Sequence, residues 1–134
     1  MSNLSDDALG FVQIQSRSSV AATGNRLESL LKSSGVTLFA RIDFSGDAAR
    51  AGLTLHPETL FIFGNPKAGT PLMVARPSVG LDLPFKALLW EDADGHSWAA
   101  YNDPSYIVRR HALPPTFAAN LTAAVSLIER ACHE

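Results

Sequence analysis

Two apolar stretches, FKALLWED beginning at Phe85 and HSWAAYN ending at Asn102, flank Asp94 and Gly95. Asp and Gly accept the positive φ that a tight turn between antiparallel strands demands, and the flanking residues supply the strands. A chain that holds this hairpin is committed to an antiparallel sheet, and the next question is what joins it. FVQIQ, from Phe11, alternates apolar and polar residues as a half-buried strand does. VTLFARID, from Val36, supplies another strand, and TLFIFG, from Thr59, is apolar on both faces and therefore central.

Helices fall between and after these strands. Ser18 and Ser19 offer N-caps to a helix whose Val20, Leu27, Leu30 and Leu31 share one stripe and which Gly35 ends. SGDAARAG reads as a short helix capped by Ser45, with Asp47 in its first turn and Gly52 closing it. Asp103 and Pro104 open another short one, PSYIVRRH, with Arg109 and Arg110 at the negative end of its dipole. Past Pro114 and Pro115 a last long helix buries Phe117, Leu121, Val125 and Ile128. The order is strand, helix, four strands, helix. The expectation is an α+β fold, a curved antiparallel sheet of about five strands with two long helices on one face and short helices inserted.

The 134 residues suit one domain that buries about two-thirds of its unfolded surface. We expect residues 10–134 to form that single domain and 1–9, polar and terminal, to be loosely ordered. An apolar fraction of 46% and a charged fraction of 18% belong to an ordinary soluble globular chain. No apolar run approaches the roughly 20 residues that span a bilayer, so no membrane crossing is expected. The start, MSNLSDDALG, lacks the features of an export signal, which points to the cytoplasm. The lone Cys132 suits a reducing compartment. A net charge of -2 argues against nucleic acid as a partner.

Several stretches also resemble a known family. SVAATGNRLESLLKSSGVTLFARIDFSGDAARAGLTL, TLFIFGNPKAGTPLM, LDLPFKALLWEDADGHSWAAYNDP and RRHAL are similar, in order and separation, to the domain-of-unknown-function family 302 from about Gly10 onward. The resemblance implies a sheet-and-two-helix fold with the topology of the TATA-binding-protein class, and pairing as a homodimer. It implies no activity.

Candidate sites come from a few polar residues among this apolar framework. In TLFIFGNPKAGTPLM, Asn65 caps and Pro66 starts a helix directly after a strand, and Lys67 and Thr70 lie beside it. Free amides there, with Lys67, would hold a small anion such as a phosphate or carboxylate. The alternative is a plain corner, favoured because Pro66 and Pro71 lack the amides a cradle wants and the spacing is not that of a P-loop. Tyr101, Asn102 and Asp103 at a strand end, Asp82 in a loop, and Lys67 and His111 form a second polar group, suited to acid-base work if the fold assembles them. The competing reading gives these residues capping and turn roles. No spacing specifies a catalytic residue, a cofactor or a metal: His56, His96, His111 and His133 are scattered, and DADG lacks the Glu a calcium loop needs. Cys132 and His133 are neighbours on a helix and so point apart, and Trp90 with Trp98 suits cross-strand packing.

The function expected is a non-catalytic small-ligand binding or accessory module. Its expected ligand residues are Asn65, Lys67, Thr70, Asp82, Tyr101, Asn102 and His111. Two alternatives stand beside it: an enzyme using Tyr101, His111 and Asp82, and a purely structural dimerisation module.

Overall fold

The computed structural model describes residues 3–6 and 9–134. Six strands form one antiparallel sheet in the order β1-β2-β6-β5-β4-β3. They are β1 (Asn3–Asp6), β2 (Phe11–Ser16), β3 (Thr37–Asp43), β4 (Glu58–Gly64), β5 (Phe85–Glu91) and β6 (Ser97–Asn102). The five strands expected are β2 to β6, and β4 and β5 lie inside the sheet as the apolar character of TLFIFG requires. β1 is an addition at the edge, paired with β2 so that Asn3 faces Ile14. The rest of the loosely ordered segment expected at 1–9 falls at 1, 2, 7 and 8, which lie outside the described residues.

One sheet face is buried because alternate residues of the strands are apolar and meet two helices. Ile14, Phe61, Phe63, Leu89 and Ala99 are at most 1% exposed. Against them lie α1 (Val20–Ser33), through Leu27 and Leu31, and α5 (Thr122–His133), through Ile128 and Ala131. α1 packs on β3, β4 and β5, α5 on β2 and β6, and the two helices touch each other. The architecture is the expected α+β one, with both long helices on a single face.

Three short helices are inserted, α2 (Phe44–Arg50) between β3 and β4, α3 (Pro66–Ala75) between β4 and β5, and α4 (Pro104–Arg110) after β6. Ser19 caps α1 by accepting from the Ala22 amide, and Asp103 caps α4 by accepting from Ser105. For α2 the cap is Asp43 rather than Ser45: the Asp43 carboxylate accepts from the Gly46 amide and from the Ser45 hydroxyl. β3 ends at Asp43 as VTLFARID suggests, but α2 begins at Phe44, ahead of Ser45, so the carboxylate just before it takes the cap. The last helix, by contrast, starts later than its apolar stripe implies. Pro115–Leu121 winds as a 3-10 helix with no side-chain cap. The change of winding shifts the phase, so Leu127, Ile128, Ala131 and Cys132 face the core while Phe117 and Val125 are only half-buried.

The β5–β6 turn differs in detail from a two-residue hairpin. The Asp92 amide donates to His96 O, the Gly95 amide donates to Asp92 O, and only Gly95 is left-handed, with φ 83°. That is a three-residue loop ending in a left-handed glycine. No helix of the described residues is long and apolar enough to cross a membrane.

Candidate functional site

Where β4 leaves the sheet and β5 enters it, the two layers part and leave a cavity of about 660 Å³. Its floor is the ring pair Phe63 and Phe85, whose centroids are 6.1 Å apart. One wall is α3, through Ala68, Gly69 and Met73, and the other is the start of α5, through Ala124 and Leu127. Polar groups on the lining are the side chains of Ser34, Asn65, Thr70, Asn120 and Ser126, and no charged residue lines it. The arrangement can enclose a small, mostly apolar molecule and offer it a few neutral hydrogen bonds.

Local features of the chain build this space. The β3–β4 register slips between Leu38 and Ala40, so Phe39 is bulged out of the ladder. A bulge re-aims a side chain, and Phe39, 56% exposed, stands on the cavity lining. α3 is lightly held. Leu72 is its buried residue, Pro71 interrupts its hydrogen-bond ladder, and the Asn120 side-chain amide donates to Ala68 O at 3.1 Å.

Asn65 and Thr70 therefore line the cavity, as neighbours on the corner read in the sequence, while Lys67 points elsewhere and is exposed. The amides that would hold an anion are engaged. Lys67 N donates to Asn65 Oδ1 at 3.0 Å, Ala68 N and Gly69 N donate to Asn65 O at 2.9 and 3.0 Å, and Pro66 has none. Asn65 thus satisfies the helix start by itself.

A second cluster forms at the end of α4. His111 Nε2 lies 2.6 Å from Asp82 Oδ2, and His111 Nδ1 lies 2.8 Å from Ser78 Oγ. Arg110 donates to both Asp82 oxygens, at 2.8 and 2.9 Å. Burial by itself would raise the Asp82 carboxyl, but the hydrogen bond from His111 and the Arg110 charge outweigh it and hold it below the usual carboxylate range. Asp82 and Ser78 belong to and follow a 3-10 helix, Pro77–Leu81, so the cluster ties that helix to α4.

Tyr101 and Asn102 do not join either group. Tyr101 points into the helix-covered face, 8% exposed and 6.2 Å from the Phe85 ring, and desolvation pushes its hydroxyl up to about 12. Asn102 ends β6 opposite Phe11. Among the other residues considered, Cys132 is fully buried and burial pushes its thiol up to about 11, which keeps it protonated. Trp90 and Trp98 are directly opposed on β5 and β6 and stack at 6.4 Å on the open sheet face. Asp92, Asp94 and His96 lie close enough to share an ion, yet Asp92 Oδ1 accepts from the Asp94 and His96 amides and Oδ2 from the Trp98 indole, so its oxygens serve the turn.

Sequence reasoning missed Phe39, Ser78 and Asn120. No local signal marks a bulge at Phe39. Asn120 follows a proline pair in what read as helix interior, and Ser78 sits in a stretch, RPSVGLDLP, that reads only as loop.

A family model described as "Domain of unknown function DUF302" matches residues 12–131. The chain is 47% identical over 104 residues, 78% of its length, to the fluoride-specific ion channel FluC 1 of Brucella suis biovar 1 (strain 1330), of which the match covers 41%. The same identity and extent hold for the fluoride-specific ion channel FluC 2 of Brucella melitensis biotype 1, of which 38% is covered. The chain thus spans about two-fifths of the length of the curated relatives it matches. Among solved structures, an uncharacterized conserved protein DUF302 from Bacillus stearothermophilus superposes with a TM-score of 0.75 over 92% of this chain and 96% of that one. At 17% identity that likeness is one of fold.

Proposed function

Since the chain belongs to the DUF302 family, we propose that it is a binding module whose cavity between the sheet end, α3 and α5 takes a small, uncharged, largely apolar molecule. The observation that carries this reading is a half-open cavity of about 660 Å³ with no charged residue on its lining among the described residues, within the size range of small-molecule sites. Each buried methylene contributes about 0.8 kcal/mol to binding such a molecule. Neutral groups such as the Asn65 and Ser126 side chains would orient its polar end. An anionic ligand is the less supported choice, because the α3 amides are occupied and Lys67 lies off the lining.

In this reading the module is cytoplasmic and pairs with a second copy. Support for pairing is the sheet face that no helix covers, where Leu60, Leu88, Trp90 and Trp98 remain only half-buried. An accessory role also fits the relatives. A helical channel needs spanning segments, the described residues provide none, and the matched part is 41% of the relative, so conduction would belong to the remainder.

The test is titration with Nile red, a neutral apolar dye, on the native chain, Ala124→Phe and Lys67→Ala. The native chain and Lys67→Ala should bind saturably and alike, and Ala124→Phe, which fills the cavity, should bind at least tenfold more weakly. Absence of saturable binding to the native chain, or equal binding by Ala124→Phe, would reject the cavity as the site.

A further inference from the structure

The contacts of His111 resemble more than a brace between two helices. We propose that Ser78 is a nucleophile served by His111 as general base, with Asp82 as its positioning carboxylate, and that this site hydrolyses esters of short, uncharged acids. This activity goes beyond the binding reading and does not depend on it.

The geometry has the order the chemistry needs. Ser78 Oγ is 2.8 Å from one imidazole nitrogen and Asp82 Oδ2 is 2.6 Å from the other. An acceptor-only carboxylate beside Nε2 fixes the proton on that nitrogen, which leaves the Nδ1 lone pair facing the Ser78 hydroxyl. Ser78 meets Nδ1 rather than Nε2. The two nitrogens are equivalent for this purpose, since each is a base once the other's N–H is held. Burial is graded in the useful direction as well. The His111 side chain is 5% exposed and that of Asp82 is 14% exposed, whereas Ser78 is at the surface where a substrate can reach it.

Two further features complete a site. The Ser78 amide, near the start of the 3-10 helix, donates to no acceptor among the described residues, and a nucleophile's own amide is well placed to stabilise the oxyanion that forms on the attacked carbonyl. In a 3-10 helix residues i and i+3 eclipse, which sets Leu81, 75% exposed, on the same side as Ser78. Leu81, which does not serve the core, offers an apolar contact for an acyl group.

The reaction balances with water as co-reactant. Ser78 Oγ bonds to the acyl carbon while its proton passes to His111 Nδ1, and the carbonyl electron pair moves onto oxygen. Collapse of that intermediate breaks the bond to the leaving alkoxide, which takes the proton from Nδ1. Water then attacks the acyl-serine, giving its proton to Nδ1, and Ser78 leaves with that proton. Ester and water become acid and alcohol.

The full chain is treated with a fluorophosphonate, which phosphonylates activated serines, and read by intact mass and peptide mapping. One adduct on Ser78 is expected, together with p-nitrophenyl acetate turnover that falls at least a hundredfold in Ser78→Ala. Ser78 is exposed, so that variant should fold, with an unchanged circular dichroism spectrum as the check. No adduct on the native chain, or turnover unchanged in Ser78→Ala, overturns the proposal. Asp82 is tested by rescue: Asp82→Asn slows labelling of Ser78 at least tenfold and Asp82→Glu restores part of that rate, whereas an unchanged rate in Asp82→Asn removes Asp82 from the site.

Discussion

Replacing Gly24 by alanine sets two effects of similar size against each other, and the structure decides the sign. Gly24 lies within α1 where that helix crosses the sheet, and it is buried. A Cβ there would stand 2.8 Å from Phe61 Cζ and 3.1 Å from an Arg41 guanidinium nitrogen. Carbon atoms prefer about 3.5–4.0 Å, so the helix or the ring must give by well over half an ångström. The ring has little room. Phe61 is fully buried in β4, and the Arg41 guanidinium, itself donating to Glu28, lies 4.9 Å from its centroid. Overpacking of this kind costs about 1–3 kcal/mol, while alanine gains about 0.8–1.0 kcal/mol over glycine inside a helix. The net is a destabilisation of about 1 kcal/mol. With an unfolding entropy of about 2.1 cal/mol/K per residue and 134 residues, 1 kcal/mol corresponds to a Tm shift of about 3–4 °C.

Gly69→Ala is the matched control, because the nearest atom to its Cβ would be Leu83 Cδ1 at 3.7 Å, an ordinary contact. There the helix-propensity gain stands alone and Tm should rise by about 3 °C. Differential scanning calorimetry of the two variants beside the native chain measures both. If Gly24→Ala raises Tm as Gly69→Ala does, the crossing of α1 over Phe61 is looser than the geometry states and the reasoning fails.

Three further outcomes follow from named contacts. Tyr101 has a folded-state value raised to about 12 from 10.0, so its neutral form is favoured by folding: its contribution is full below 10.0 and is lost as pH climbs towards 12. Melting curves from about pH 9 to 11.5 should show a steeper decline for the native chain than for Tyr101→Phe, and parallel declines would refute the burial argument. The Asp82 carboxyl is held below its ordinary 3.8, so its contribution is present above that value and vanishes as pH falls through the folded-state value. The Tm difference between the native chain and Asp82→Asn should therefore shrink steadily on acidification below about pH 4, and a constant difference would count against the ionised pair with His111 and Arg110. Asn120→Ala removes the bond to Ala68 O, worth about 1 kcal/mol, so hydrogen exchange of the α3 amides should quicken about fivefold with the β4 and β5 amides unchanged; equal protection would show that α3 is held by something else.

The sheet was legible because its inner strands alternate against two helices, which imposes period-two burial on β2, β4, β5 and β6. β1 escaped notice for the opposite reason. NLSD carries no apolar alternation, and it is recognised as a strand by its backbone pairing with β2. The cap of α1 was narrowed to Ser18 or Ser19 and falls on Ser19, whereas that of α2 was misread at Ser45, where the Asp43 carboxylate takes the amide. The start of α5 was misplaced because a stripe from Phe117 to Ile128 is compatible with helix, while the winding actually changes at Leu121 after a proline pair.

The candidate sites divide along the same physical line. Asn65 and Thr70 were found because strand-to-helix corners announce themselves locally, but the cavity beside them is bounded by Phe39, Phe63, Phe85 and Leu127, and a void between distant elements has no local signature. Asp82 and His111 could be named as titratable residues, whereas their 2.6 Å contact joins positions 29 apart in the chain and exists only once α4 has docked. What the sequence does mark is one breach of a local rule, a proline inside α3 at Pro71; the slipped register at Phe39 shows only in the structure. α3 and Phe39 both border the cavity. A wall built from a helix with an interrupted ladder and one buried anchor, Leu72, can shift without disturbing the Phe63 and Phe85 floor. Local conflict there costs little stability, because α3 adds only Leu72 to the core while the strands and the two long helices supply most of it.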